Sequence, residues 1–297
     1  LKGRYISSTL NGTGMPSTDP MKRDVPLDLF PASVLGGIEI QKSYTPDLPG
    51  DTTGGAIRMT TKGLPDEETK KLSIDLGFNS QVTGKDVVSY DGSDSDFAGF
   101  DDGMRDVPSS VNSATNGGEN GSVSDLCELG CDYTFSELST LLGDFDNNYN
   151  VKDEKANPNL NLSYSFGDRI EKSSGDIGYY GAIEYKNKWS SREDAEIHDT
   201  SGDFEYERSK HNIDLTGYFV IGLEDSQGND YISRTTLLRK TDDTTKAITG
   251  IDSEEIDIEE YTLQWVERQF LSQHFSGKQY IGDVQTLDWR IGISQTN

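Results

Sequence analysis

The residues in this chain best suited to chemistry are carboxylates set close together. Asp94-Ser-Asp96, Asp101-Asp102 and Asp144-Phe-Asp146 each bring two acidic side chains into one short stretch. Carboxylate oxygens are the ligands that Ca²⁺, a hard cation, takes. None of the clusters fits the EF-hand loop D-x-[DN]-x-[DN]-G-x5-E. Asp94, Asp96, Asp101, Asp102, Asp144 and Asp146 therefore stand as calcium candidates, beside the plainer reading that acidic loops keep a protein soluble. Cys127 and Cys131 lie in Asp-Leu-Cys-Glu-Leu-Gly-Cys. In an oxidising compartment that spacing suits a small local disulfide loop. The rival reading is half of a metal site, but no second Cys/His pair completes it. His198, His211 and His274 are scattered. There is no G-x-S-x-G, H-E-x-x-H or P-loop. No catalytic residue is assigned, an enzyme is not expected, and calcium is the one cofactor considered.

Composition narrows the class. The 297 residues carry a net charge of -25, and 32% are hydrophobic; the pI is about 4.3 and the mean hydropathy -0.66. That charge argues against nucleic-acid binding and against basic patches for an anionic membrane surface. No run of about 18 apolar residues occurs, which excludes a membrane helix. A membrane barrel is still allowed, because only alternate residues of its strands need be apolar. The chain opens at Leu1 without a signal peptide, so processing or truncation is expected to have removed the true start.

The elements that would position these groups are strands. Seven stretches alternate apolar and polar residues: Leu72 to Val82, Asn159 to Phe166, Ile177 to Trp189, Asn212 to Leu223, Tyr231 to Thr241, Tyr261 to Phe275 and Leu287 to Ser294. In the clearest, Ile177, Tyr179, Ile183, Tyr185 and Trp189 share one face, and Tyr180, Ala182, Glu184, Lys186 and Lys188 the other. A soluble sandwich alternates too. Aromatics near both ends of the apolar face are a feature of lipid-facing strands, and Tyr179, Tyr185, Trp189, Trp265 and Trp289 are read as such a girdle. Tyr218 falls on the polar face.

The links alternate as well. Those at 167–176, 224–230 and 276–284 are short, and those at 83–157, 190–211 and 242–258 are long. In outer-membrane barrels the short turns are periplasmic and the long loops extracellular. The segment 83–157, rich in Asp, Gly, Ser and Asn, then reads as a large extracellular loop. The expected fold is all-β: a partial transmembrane antiparallel β-barrel of which this chain supplies about seven strands, where a plugged lumen goes with about 22. A small α+β unit precedes it over residues 1–66, with β-like runs at Tyr5 to Leu10, Gly37 to Gln41 and Ala56 to Thr61 and a short helix within Pro26 to Leu35. The division falls at 1–66 and 67–297.

Residues 1–66 resemble the second half of the plug of TonB-dependent outer-membrane receptors. The blocks are Lys2-Gly-Arg-Tyr5, Thr9-Leu-Asn-Gly12, Met15-Pro-Ser-Thr-Asp-Pro20, Val25-Pro-Leu-Asp-Leu-Phe-Pro31, Ile38-Glu-Ile40, Tyr44-Thr-Pro-Asp-Leu-Pro-Gly-Asp51, Gly54-Gly-Ala-Ile57 and Thr60-Thr-Lys62. Phe100-Asp-Asp-Gly-Met-Arg105 is similar to a motif found there after the first barrel strand. The energy-coupling box, the first plug half and most of the barrel have no counterpart in this chain.

The resemblance implies energised uptake, across the outer membrane of a Gram-negative bacterium, of a scarce solute such as a siderophore or an oligosaccharide. It implies as partners a TonB-type energy-coupling protein of the inner membrane, the small solute ligand, and outer-membrane lipid or lipopolysaccharide, with no nucleic acid. By position, Met15, Pro16, Asp19, Lys22 and Arg23 would touch the solute. Arg58 and Lys62 would pair with carboxylates of the barrel wall. The alternative from another class is a secreted or surface-attached acidic β-sandwich, acting as an adhesin or calcium-dependent binding protein. A receptor leaves Leu160, Leu162, Ile183 and Ile291 facing lipid; a sandwich buries them under a second sheet.

Overall fold

The computed structural model describes residues 6–17, 27–45, 48, 52, 55–119, 133–145, 149–199, 202–282 and 284–297. Near the N-terminus, β1 (Ile6–Leu10), β2 (Thr13–Gly14), β3 (Leu35–Gln41) and β4 (Gly55–Thr61) form a mixed sheet in the order β2-β1-β4-β3. Asn11 and Gly12 both take positive φ, the turn geometry that joins tightly paired strands. The helix expected within 26–35 is only a 3-10 turn at Leu27–Leu29. Pro31 steers Phe30 away from the helical region, and Leu35 already belongs to β3.

The rest of the chain is dominated by one antiparallel sheet. It opens with β5 (Thr69–Gly77). The next segment holds a separate hairpin of β6 (Asp86–Tyr90) and β7 (Val151–Lys155), with helices α1 (Ser109–Ala114) and α2 (Phe135–Gly143) between them. Then follow β8 (Asn159–Ile170), β9 (Gly175–Asp199), β10 (Gly202–Asp225), β11 (Asp230–Asp252), β12 (Asp257–Ile281) and β13 (Gln285–Thr296). The order is β13-β12-β11-β10-β9-β8-β5. All seven alternating stretches are strands of this sheet.

Three boundaries differ from expectation. The links expected to be long at 190–211 and 242–258 are mostly strand, since β9 pairs with β10 up to Asp199 and Gly202, and β11 with β12 up to Ile251 and Asp257. Backbone ladders need no apolar face, so a run such as Ser190-Ser-Arg-Glu-Asp continues the strand without alternating. The first strand ends early, at Gly77. Asn79 turns the chain there, its side chain accepting from the Gln81 amide at 3.0 Å.

The two faces of the large sheet are unlike. One face, called inner here, carries Ala182, Glu184, Lys186, Tyr218, Asp242, Ser272 and His274, and it receives the N-terminal unit. Phe270 and Leu238 join Leu10, Leu29, Phe30 and Met59 in one buried cluster, while Tyr180, Tyr218 and Val220 join Val34 in another. The Tyr218 hydroxyl donates to the Lys62 carbonyl at 2.5 Å and lies 3.0 Å from Thr61 Oγ1. Leu64 lies over Gly178 and Gly222; a Cβ would come within 3.1 Å of it at Gly178 and within 2.6 Å of its Cδ1 at Gly222, so Leu64 would have to shift. The outer face carries Leu72, Ile74, Leu162, Ile183, Phe219, Leu271 and Ile291. Ile183 is 59% exposed and Ile291 56%. Among the described residues no second sheet covers them.

The apolar band crosses the sheet on a slant. Ile74, the middle of the run on β5, is level with Leu162, Tyr185, Leu215, Arg239, Gln269 and Asn297 along the pairing ladder. On β13 the run from Leu287 to Ile293 is centred on Arg290, seven residues before Asn297. The band therefore slides seven residues toward the short turns over six strand steps.

Candidate functional site

Among the described residues, two of the places that bring polar groups together lie on opposite faces of the large sheet. On the inner face, β1, β3 and β4 and the starts of β11 and β13 enclose a cleft of about 1010 Å³. Its walls carry Arg58, Arg234, Lys278 and Arg290 against Glu39, Asp230 and Asp288. Both signs of charge are present, so the cleft suits a polar solute and does not select its charge.

The solute contacts expected from the N-terminal loop are placed only in part. Met15 packs on the cluster of Leu10, Phe30 and Phe270, so its thioether fills a core edge. Pro16 follows it, partly exposed. Asp19, Lys22 and Arg23 lie outside the described residues, as do Cys127, Cys131 and Asp146. The expected pairing of Lys62 with carboxylates of the wall is corrected. Arg58 pairs with Glu39 of its own sheet at 3.6 Å, and the Lys62 ammonium sits 5.7 Å from the centre of the Tyr180 ring. Tyr180 is close because Leu64 and Val34 hold this strand end against the large sheet.

On the outer face, Phe100-Asp-Asp-Gly-Met-Arg105 forms a clamp. Gly103 takes φ 99°, which an L side chain would resist. The turn aims Arg105 back at its own segment and at the sheet. Its guanidinium donates to Asp96 at 2.7 and 2.8 Å, to Asp101 at 2.6 Å and to Tyr90 Oη at 2.5 and 3.1 Å. It also lies 3.9 Å from the Trp265 ring centre. Thr241 Oγ1 and Arg239 Nε both donate to the Gly99 carbonyl at 2.7 Å, and the Arg239 guanidinium lies 4.0 Å from the Phe100 ring centre. Ser209 donates to the Val88 carbonyl.

The segment 83–157, expected as a surface loop, is thus in part fastened to the outer face of the large sheet. This changes two expectations. Asp96 and Asp101 serve Arg105; Asp102 accepts from the Met104 amide and Asp144 from Ser110, while Asp94 is exposed. Among the described residues no group of three His, Cys, Asp or Glu could hold a metal ion. Trp189, read as a girdle residue, is buried with Val82, Val87 and Ala156 and stacks on His211 at 4.2 Å. The Phe100–Arg105 block was visible in the sequence. Its role depends on Tyr90, Trp265 and Gly99–Thr241 contacts that no local pattern announces.

Two titratable groups lie under the clamp, beyond the apolar band. Burial pushes the Asp243 carboxyl up to about 7, against the pull of Arg105, with Asp96 and Glu154 adding to the rise and a Tyr90 hydrogen bond opposing it. Burial pushes His211 down to about 4, with Asp96 opposing. Folded Asp243 keeps a proton that the unfolded carboxyl loses near 3.8, so its contribution falls as pH rises from about 4 to 7. Folded His211 refuses a proton that the unfolded ring takes near 6.5, so its contribution falls as pH drops from 6.5 to about 4. Between about 4 and 6.5 the two offset each other. Asp243→Asn should therefore leave a clamp that loosens on acidification below 6.5, and His211→Gln one that loosens as pH rises toward 7. Amide exchange of residues 91–106, corrected for the intrinsic pH dependence, checks both. Flat profiles in both variants would contradict the assignment.

Compared with protein-family models, curated proteins and solved structures, the chain matches none of them.

Proposed function

We propose that this chain is part of a TonB-dependent outer-membrane receptor. Its seven-stranded sheet would be one arc of a plugged barrel, and its N-terminal sheet part of the plug. The task would be energised uptake of a scarce polar solute, with a TonB-type protein of the inner membrane as energy source. The observation that carries this reading is the inverted amphipathicity of the sheet: the face packed on the N-terminal unit is mostly polar, and the face left open is apolar. Water-soluble proteins rarely expose apolar patches of more than a few hundred Å², whereas a barrel puts that face in lipid.

The slant of the band supports the same reading. Seven residues over six steps is about 1.2 residues per step. With a rise of about 3.3 Å and a strand spacing of about 4.8 Å, the strands incline by about 39°, within the roughly 35–45° of membrane barrels. Ile177 to Tyr185, projected at that angle, covers about 21 Å, near the roughly 25 Å apolar height of such barrels. The strands beyond it would stand in the extracellular space. The sandwich reading needs a second sheet over Ile183, and none lies there among the described residues.

The test is fractionation of cells that make the native protein. It should be recovered from the outer membrane and migrate faster unboiled than boiled. Ile183→Arg, near the middle of the band, should cost about 2–4 kcal/mol of barrel stability. Recovery as a water-soluble species would overturn the proposal.

A further inference from the structure

The clamp sits at the upper rim of the apolar band. The Tyr185 hydroxyl, in the last apolar row of β9, donates to the Phe97 carbonyl at 2.7 Å. Gly99 lies against Ile213 and Thr241, one row higher. On β11 the outward residues just above the band are Arg239 and Thr241, and Arg239 is ion-paired with Glu267 at 2.6 Å. Such groups at the edge of a hydrocarbon layer need cover or water. Residues 99–101 cover them: Gly99 accepts from both Arg239 and Thr241, Phe100 lies on the guanidinium, and the Asp101 amide donates to Glu267 at 3.2 Å.

The cover itself is apolar outward. Phe97 is 69% exposed and Phe100 44%, while Asp96 and Asp101 are turned to Arg105. Phenylalanine rings on the apolar side of an interfacial segment bury about 5–10 Å into the boundary between headgroups and acyl chains. We propose that residues 96–101 seat in the outer-leaflet interface, with Phe97 and Phe100 in contact with lipid. The first extracellular segment is then a flange on the outer wall that sets the depth of the barrel. The inference rests on the membrane reading above, and its occupant is outer-leaflet lipid.

The experiment uses the full native chain in outer membranes, with a photo-crosslinking benzoylphenylalanine placed at position 97, 183 or 251. Position 183 reports the band. Position 251 is twelve residues beyond Arg239 on β11, about 40 Å along the strand. Lipid adducts at 97 should reach within about threefold of the yield at 183 and exceed that at 251 by about tenfold or more, as interfacial seating requires. Strong lipid adducts at 183 with none at 97, or a protein adduct at 97, would overturn the flange and leave the membrane reading intact. No lipid adduct at 183 would overturn the membrane reading and the flange with it.

Discussion

Arg105→Ala should release residues 91–106 from the outer face of the seven-stranded sheet while leaving the sheet paired. The Arg105 side chain is 13% exposed, and the Asp96 and Asp101 side chains are 19% and 16% exposed. Removing the cation leaves two carboxylates facing each other with little water. Breaking a largely buried pair by deleting one partner costs about 3–5 kcal/mol. At about 1.4 kcal/mol per decade, that is a rise of roughly a hundredfold or more in the open population. Amide exchange across 91–106 should speed up by that order, while peptides from β9 and β10 should hold. Arg105→Lys keeps the charge and loses the fork that reaches Asp96 twice and Tyr90, so it should fall between. Unchanged exchange in Arg105→Ala would mean that Gly99 and Phe100 hold the segment unaided.

Alternation made the sheet legible from sequence. It placed all seven strands, and in the β9 stretch the side chains it assigned alternate between the two faces. It failed where that signal has no source. Beyond the apolar band both faces meet polar surroundings, so Arg192 to Asp199 does not alternate although its backbone pairs with β10. Trp189 looked like a rim aromatic because two of its covering residues, Val87 and Ala156, come from a segment with no periodicity of its own, and the third, Val82, lies past the end of β5. Arg105 shows the same limit in charge. Its nearest partners are four and nine residues away, and the ring it lies on, Trp265, is 160 residues away. Spacing can suggest that Asp96 and Asp101 bind a cation, and here the cation that they meet is a guanidinium.

Phe270→Ala should loosen the N-terminal unit from the sheet. The inner face is mostly polar, so the unit is held by a few apolar contacts. Among the described residues Phe270 is the largest of the fully buried side chains, at 0% exposure, and its ring meets Phe30 edge-on at 5.6 Å. Truncating a buried phenylalanine to alanine costs about 3–5 kcal/mol, part of it from the cavity left behind. Here the cavity would open between two sheets, with Leu10, Met59 and Leu238 around it. β4, the central partner of β1 and β3, should then exchange its amides faster, while pairs such as Tyr218–Ala182 in the large sheet stay protected. Phe270→Leu keeps most of the volume and should cost about half as much or less. Equal loss of protection in β4 and in β9–β10 would show that the two sheets unfold as one, and that the inner face depends on the unit it holds.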